Sequence, residues 1–318
     1  MKRVLKELPL PVCGVMLGLA ALGNLLQAVF ANLCGTPAVG NALHTLCGVL
    51  ASLILLALIL KIFCCFAGVK EAMQTPVIAS VSGTASMALM LLSVYWKPVL
   101  GGGAKAVWFF AVALHAVLIV WFTFKFLRRP RLEDVFASYF IVYVGIVTAA
   151  ISAPAYGMEK LGAATFWFGF VSLLILLVPV TVRYVKVPVK EPVRPLICIY
   201  AAPVSLCLAG YVQCVTPKSH AMLIGMLAAS TIILIIVLFR LPGLLKLSFY
   251  PSFSAFTFPF VITAIAALQC MVCLKRTGAP LPWLKTVVLV EAALAAVLVF
   301  YTLIRYCLNS FRTEAAIK

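Results

Sequence analysis

The chain is short of charge, and above all of negative charge. Among 318 residues only eight are Asp or Glu, three are His, and charged residues make up 10%. Apolar residues reach 65%, with a mean hydropathy of +1.17. A water-soluble globular enzyme is excluded, because such a chain has too little polar surface to cover one. No HExxH, GxSxG, Walker loop or carboxylate pair occurs, so no enzyme activity and no cofactor are expected. Cys270 and Cys273 form a CxxC without the second pair or spaced histidines of a zinc site, so no metal is expected. His44, His115 and His220 stand apart from one another and read as packing or interfacial hydrogen-bonding groups.

What the chain has is long apolar runs. A bilayer core about 30 Å thick takes about 20 helical residues to cross. Ten runs of that order are present, at residues 8–30, 39–66, 76–96, 107–127, 135–153, 161–182, 196–215, 221–239, 248–274 and 283–308. They are continuously apolar rather than alternating over about ten residues, which excludes a β-barrel. The expected architecture is therefore an all-α polytopic membrane protein, one transmembrane domain over 1–318. Short connections make antiparallel neighbours, so the ten helices are expected as five helical hairpins.

The 25 Lys and Arg give a net charge of +17, and their placement fixes an expected orientation. Three lie in the amino-terminal tail (Lys2, Arg3, Lys6), twelve in the even-to-odd connections and three at the carboxyl end (Arg305, Arg312, Lys318), eighteen in all against seven on the other side. Cytoplasmic loops carry the excess, so both termini are expected in the cytoplasm, in an inner or plasma membrane. Orientation accounts for the positive charge; the lipid bilayer is the partner and no nucleic acid is needed.

Odd-numbered runs differ from even ones. The odd runs hold small and hydroxyl residues, among them Gly14, Gly18, Asn24, Ser82, Thr84, Gly145, Thr148, Ser205 and Thr257, and no Asp, Glu, Lys or Arg in their interiors. Even runs are mostly Leu, Ile, Val and Phe. Small residues allow close packing or line a cavity, whereas bulky apolar faces suit lipid. An inner ring of five odd helices around a pore, inside an outer ring of five even ones, is expected. Pro76, Pro203 and Pro259 sit in or at the start of odd runs and are expected to kink them. A conduit of hydroxyls and backbone without fixed negative charge suits anions. Glu291 is the one carboxylate well inside a run, expected to pair with Lys285 or to hydrogen-bond within the bundle or at a subunit contact.

Several motifs, in order along the chain, resemble one family. Cys13-Gly14-Val15-Met16-Leu17-Gly18-Leu19-Ala20-Ala21-Leu22-Gly23 resembles its first-helix pattern. Ser138-Tyr139-Phe140 with Val144-Gly145-Ile146-Val147 resembles the fifth. Arg194-Pro195 with Ala202-Pro203 resembles the seventh, and Ala255-Phe256-Thr257-Phe258-Pro259 the ninth. The family is the tellurite-resistance/dicarboxylate transporters, which include the TehA-type bacterial homologues of plant slow anion channels. The resemblance implies a homotrimer with a pore in each protomer, gated by a ninth-helix Phe. That Phe is Phe258, with Phe256 as the second candidate and Gly14 close to it. The implied function is a gated passive channel for small inorganic or organic anions. The alternative is a secondary transporter, proton-coupled or efflux, for C4-dicarboxylate, sulfite or tellurite. Ala137 and Val142 stand where the family often has prolines, so a straighter fifth helix is expected here.

Overall fold

In the computed structural model every described element is a helix. The structure describes residues 2–128 and 131–315, and the side chains of 5–128 and 131–309. Of the cations counted for topology, Arg129 and Lys318 lie outside the described residues, as do the side chains of Lys2, Arg3 and Arg312.

In chain order the α-helices are α1 (Lys2–Glu7), α2 (Val12–Asn32), α3 (Pro37–Cys64), α4 (Phe66–Ala72), α5 (Pro76–Val81), α6 (Gly83–Tyr95), α7 (Lys97–Leu100), α8 (Gly103–Phe126), α9 (Tyr139–Tyr143), α10 (Thr148–Ser152), α11 (Glu159–Lys186), α12 (Ala202–Cys214), α13 (His220–Leu245), α14 (Phe258–Arg276) and α15 (Leu284–Ala315). Five 3-10 stretches join them, at Leu132–Asp134, Gly145–Val147, Ala153–Tyr156, Glu191–Ala201 and Pro251–Phe256.

Among the described residues nine segments are long and apolar enough to cross a bilayer. They match nine of the ten expected runs. Burial sorts them into two kinds: the segments built on α2, α12 and α14 have 83% of their most apolar window buried and the α5–α6 segment 67%, whereas α3, α8, α11, α13 and α15 have 22–33%. The exposed kind shows large apolar side chains outward, Phe63 at 81% and Phe239 at 83% exposure among them, as suits helices that face lipid. Buried segments are therefore the odd runs and exposed segments the even ones.

The fifth run departs from expectation. It is not a straight helix but α9, a 3-10 turn, α10 and a second 3-10 turn in succession. The expectation rested on absent prolines at 137 and 142, and other features break the ladder instead. Gly145 opens the 3-10 turn at a point where an added Cβ would lie 2.7 Å from Met87 Sδ and 3.0 Å from His115 Cε1. The carbonyl of Val142 accepts from His115 Nε2 at 3.0 Å, a donor from α8 in the middle of the run. Four connections that join an odd run to the following even one turn on glycines with positive φ: Gly35 (69°), Gly101 (54°), Gly157 (66°) and Gly278 (82°). Only glycine adopts that conformation without steric cost, which is how the helical hairpins close so tightly.

The prolines expected to kink the odd runs stand at helix starts. Pro76 stands in the first turn of α5, and the discontinuity of that segment lies six residues on, at Ser82 between α5 and α6, so Pro76 is not itself the kink. Pro203 and Pro259 stand in the first turns of α12 and α14, each at the junction with a preceding 3-10 stretch. Proline has no N–H, so residue 259 cannot bond the carbonyl of 255 nor 203 that of 199, and the α ladder restarts there.

Candidate functional site

Three voids follow one another through the middle of the buried segments. The first, at the end that carries α1, has a volume of about 420 Å³ and is bordered by Lys6, Glu7 and Lys61. It shares Val81 and Leu196 with a second, much tighter cavity of about 40 Å³. That cavity is lined from all five odd runs, by Gly14, Thr84, Gly145, Pro203 and Phe258 among others. A third cavity of about 230 Å³ lies beyond it, and the side chain that borders both is Phe258.

Local sequence holds that ring in place. Thr257 sits between the Pro251–Phe256 stretch and α14 with non-helical backbone angles (φ −100°, ψ −95°). Its Oγ1 donates to Gly14 O at 2.8 Å and to Ser254 O at 2.7 Å, so α2 and the start of α14 are tied side by side. Glycine makes the approach feasible. A Cβ on Gly18 would fall 2.5 Å from Thr257 Cβ and 3.2 Å from the Phe258 nitrogen, and one on Gly14 would fall 2.9 Å from Ser254 Cβ.

Of the residues singled out in the sequence, Gly14, Thr84, Gly145, Pro203, Pro259 and Phe258 line the tight cavity. Thr84 Oγ1 reaches Val81 O at 2.8 Å and Cys13 Sγ at 3.0 Å. Gly18, Ser205 and Thr257 do not line it; they are packing positions, with Ser205 Oγ turned back to Ala201 O. Ser82 borders a separate groove with residues of α3 and α8, because the break between α5 and α6 turns it outward. Phe256 is fully buried against Phe253, ring centroids 4.9 Å apart, and borders none of the three voids. Period alone could not separate it from Phe258, two residues away at a 3-10 to α junction.

Sequence reasoning missed the apolar wall, Leu17, Met87, Phe140, Ile199 and Leu206, which looks like ordinary core, and it missed Gln269 in the third cavity. Each histidine meets a polar side chain: His44 Nε2 with Asn24 Oδ1 at 3.1 Å, His115 Nδ1 with Ser86 Oγ at 2.7 Å, His220 Nε2 with Thr277 Oγ1 at 2.9 Å. Glu291 on α15 is buried beside Thr263 of α14, whose Oγ1 donates to Phe260 O at 2.8 Å, and its Oε2 has no hydrogen-bond partner among the described residues.

Lysines at the two ends serve as backbone caps. Lys61 Nζ, buried, donates to Leu5 O at 2.8 Å and Lys6 O at 2.9 Å, holding α1 against α3. At the opposite end Lys218 Nζ donates to Tyr211 O at 2.9 Å and to Val215 O, closing the last turn of α12, and burial holds its ammonium below the ordinary lysine range.

The family model for SLAC1, the voltage-dependent anion channel, matches residues 7–307. No curated protein matches the chain.

Proposed function

Because the chain belongs to the SLAC1 voltage-dependent anion channel family, we propose that it is a gated passive channel conducting small anions through a pore in each protomer, shut by the ring of Phe258. One observation carries this reading: Phe258 is the side chain common to the two cavities that would otherwise meet. A hydrophobic ring in a narrow neck stops ions by excluding water, and a rotamer change suffices to open it. The reading takes the ten runs, the fifth in its broken form, as one transmembrane domain. Five buried runs form a ring around the passage and five exposed ones form the outer layer. Both termini lie in the cytoplasm of an inner or plasma membrane, as the charge bias requires. The protein assembles as a homotrimer, the state that the family resemblance implies.

The second reading, a proton-coupled carrier for dicarboxylate, sulfite or tellurite, draws on Glu291, a carboxylate buried beside the inner helix α14. Reconstitution separates the two. Purified protein and its Phe258→Ala variant are placed in liposomes with chloride, nitrate, formate, sulfite and malate in turn. A channel gives currents that reverse at the anion equilibrium potential and ignore a proton gradient. Uphill, proton-driven uptake would overturn the channel, and silence of the folded Phe258→Ala variant would overturn the gate.

A further inference from the structure

The α5–α6 segment is mostly buried, yet one flank of its break is open. Ser82 and Ala85 are half-buried, and with Ser86 and Cys13 they form the floor of a groove of about 340 Å³ between α3 and α8. Ile62 of α3 and Leu114 and Val117 of α8 stand exposed along its rim, so it opens sideways from the bundle rather than into the passage.

The polar hydrogens of the floor are already engaged. Ser82 Oγ donates to Ala79 O at 2.7 Å, and Cys13 Sγ to Val81 O at 3.6 Å. Ser86 Oγ lies 2.9 Å from Gly83 O and 2.7 Å from His115 Nδ1, so its single proton is taken. A polar solute finds no unused donor on this floor, whereas hydrocarbon needs none. From Leu114 to Trp121 the α8 wall is about 10 Å long at 1.5 Å per residue, a length that an acyl chain fills.

The end of the groove nearest α1 is basic. Lys125 Nζ lies 4.7 Å from the ring centroid of Trp121, which lines the groove, and donates to Gln74 Oε1 at 2.6 Å and to Met73 O at 3.2 Å. An ammonium carries three protons, so one remains for a ligand. Gln74 Nε2 in turn donates to Lys70 O at 3.1 Å, which ties the chain leaving α4 to the end of α8 and brings two exposed lysines to one mouth. Arg128, its guanidinium 5.0 Å from the Phe124 ring, adds a third cation near the end of α8; Glu71, exposed on α4, is the acid beside them. Tryptophan with lysine at a helix end marks the headgroup level of a bilayer.

We propose that this groove holds one acyl chain of an anionic phospholipid whose phosphate sits against Lys125 and Lys70. The engaged floor calls for hydrocarbon, and the charge at the mouth calls for a negative head. The proposal needs only that these helices lie in a bilayer and holds whether the protein is a channel or a carrier. Gly14 and Thr84 line the tight cavity, while their chain neighbours Cys13 and Ala85 line the groove, so the acyl chain packs on the back of the passage wall.

The test uses the full-length protein in detergent, with thermal unfolding followed as phosphatidylglycerol or phosphatidylcholine of the same acyl chains is added in mixed micelles. Phosphatidylglycerol is expected to raise the unfolding temperature saturably, phosphatidylcholine much less, and glycerol 3-phosphate, a head without chains, not at all. Lys125→Met, which keeps an apolar stem beside Trp121, is expected to weaken half-saturation about two- to fivefold, the worth of one exposed charge pair, with the difference fading at high salt. Ala85→Phe fills the groove and is expected to abolish the shift. Val117→Trp, at an exposed position on the opposite wall, is expected to do the same and keeps the claim testable if Ala85→Phe misfolds. Equal shifts with the two lipids, a shift with glycerol 3-phosphate, or filled variants that respond like the parent would overturn the site. So would a changed subunit number in the filled variants by native mass spectrometry, because a second copy of this chain would then be what covers the groove.

Discussion

Phe256 and Phe258 are two residues apart, both aromatic and both buried, so replacing each by alanine separates a plug from a packing residue. Phe256 is wholly enclosed and meets the ring of Phe253 at 4.9 Å. Removing it forfeits transfer energy, leaves a hole and breaks an aromatic pair, a loss of about 3–5 kcal/mol. Phe258 borders free volume on both sides, about 40 Å³ and about 230 Å³, so fewer wall atoms lose a partner with it. Its removal is expected to cost only the transfer part, about 1.5–3 kcal/mol. The two cavities would then join. A barrier of a few kcal/mol removed from the neck corresponds to a rise in anion flux of roughly ten- to a thousandfold. The assay is paired: anion efflux from liposomes, and thermal unfolding of each purified variant. Phe258→Ala should conduct and stay the more stable of the two, while Phe256→Ala should unfold several degrees earlier without opening. Equal conduction in both, or a Phe258→Ala variant as closed as the parent, would refute the reasoning.

Three further outcomes follow from the contacts. Gly18→Ala places a methyl 2.5 Å from Thr257 Cβ, at a break where the backbone is already fixed by two hydrogen bonds; a loss of about 1–3 kcal/mol is expected, read as a lower unfolding temperature. Lys61→Met releases the carbonyls of Leu5 and Lys6 and removes a cation from the wide void. Proteolysis near residue 6 should quicken, and conductance in the Phe258→Ala background should fall at low salt with the difference fading at high salt. Lys218→Met uncaps the end of α12 and is expected to cost about 1 kcal/mol. Burial lowers the folded-state pKa of Lys218 below its ordinary 10.5, so between those two values the unfolded chain binds more protons and stability rises with pH. The gap in unfolding temperature between the parent and Lys218→Met should therefore widen as pH climbs toward 10.5.

The layering of the fold was legible because lipid and protein ask for different residues. Leu53 and Phe239 in even runs and Gly14, Thr84 and Thr257 in odd ones signal opposite surroundings, and burial divides them the same way. Boundaries and breaks were not. The rupture at Ser82 and the fragmentation of 139–156 depend on contacts from other helices, such as His115 reaching Val142 O, which no local pattern carries. For the same reason Ser82 reads as a lining residue in sequence yet turns outward, while Leu17 and Phe140 line the cavity with side chains that look like plain core. Phe258 was legible only as one of two neighbours, and its position beside the cavities depends on where the helix restarts after Thr257.

Broken helices pose an electrostatic problem for an anion path, because interrupted ladders present carbonyl oxygens, the groups that line cation filters. In this chain side-chain donors engage carbonyl oxygens of the buried segments, both at the breaks and within the unbroken α2. Val142 O takes His115, Val81 O takes Thr84, Gly14 O takes Thr257, Ala20 O takes Tyr95 at 2.7 Å and Ala150 O takes Cys214 at 3.0 Å. Each bond draws a proton toward a partial negative charge and weakens its reach into the passage. A helix interior without titrating groups can then be bent without becoming attractive to cations. The hydroxyl of Thr148 is the counterpart, a donor whose proton no protein carbonyl uses. The potential along the path is thus set by which dipoles are cancelled and which are left: these five carbonyls are engaged, while Thr148 Oγ1 and Gln269 Oε1 are left without a protein partner.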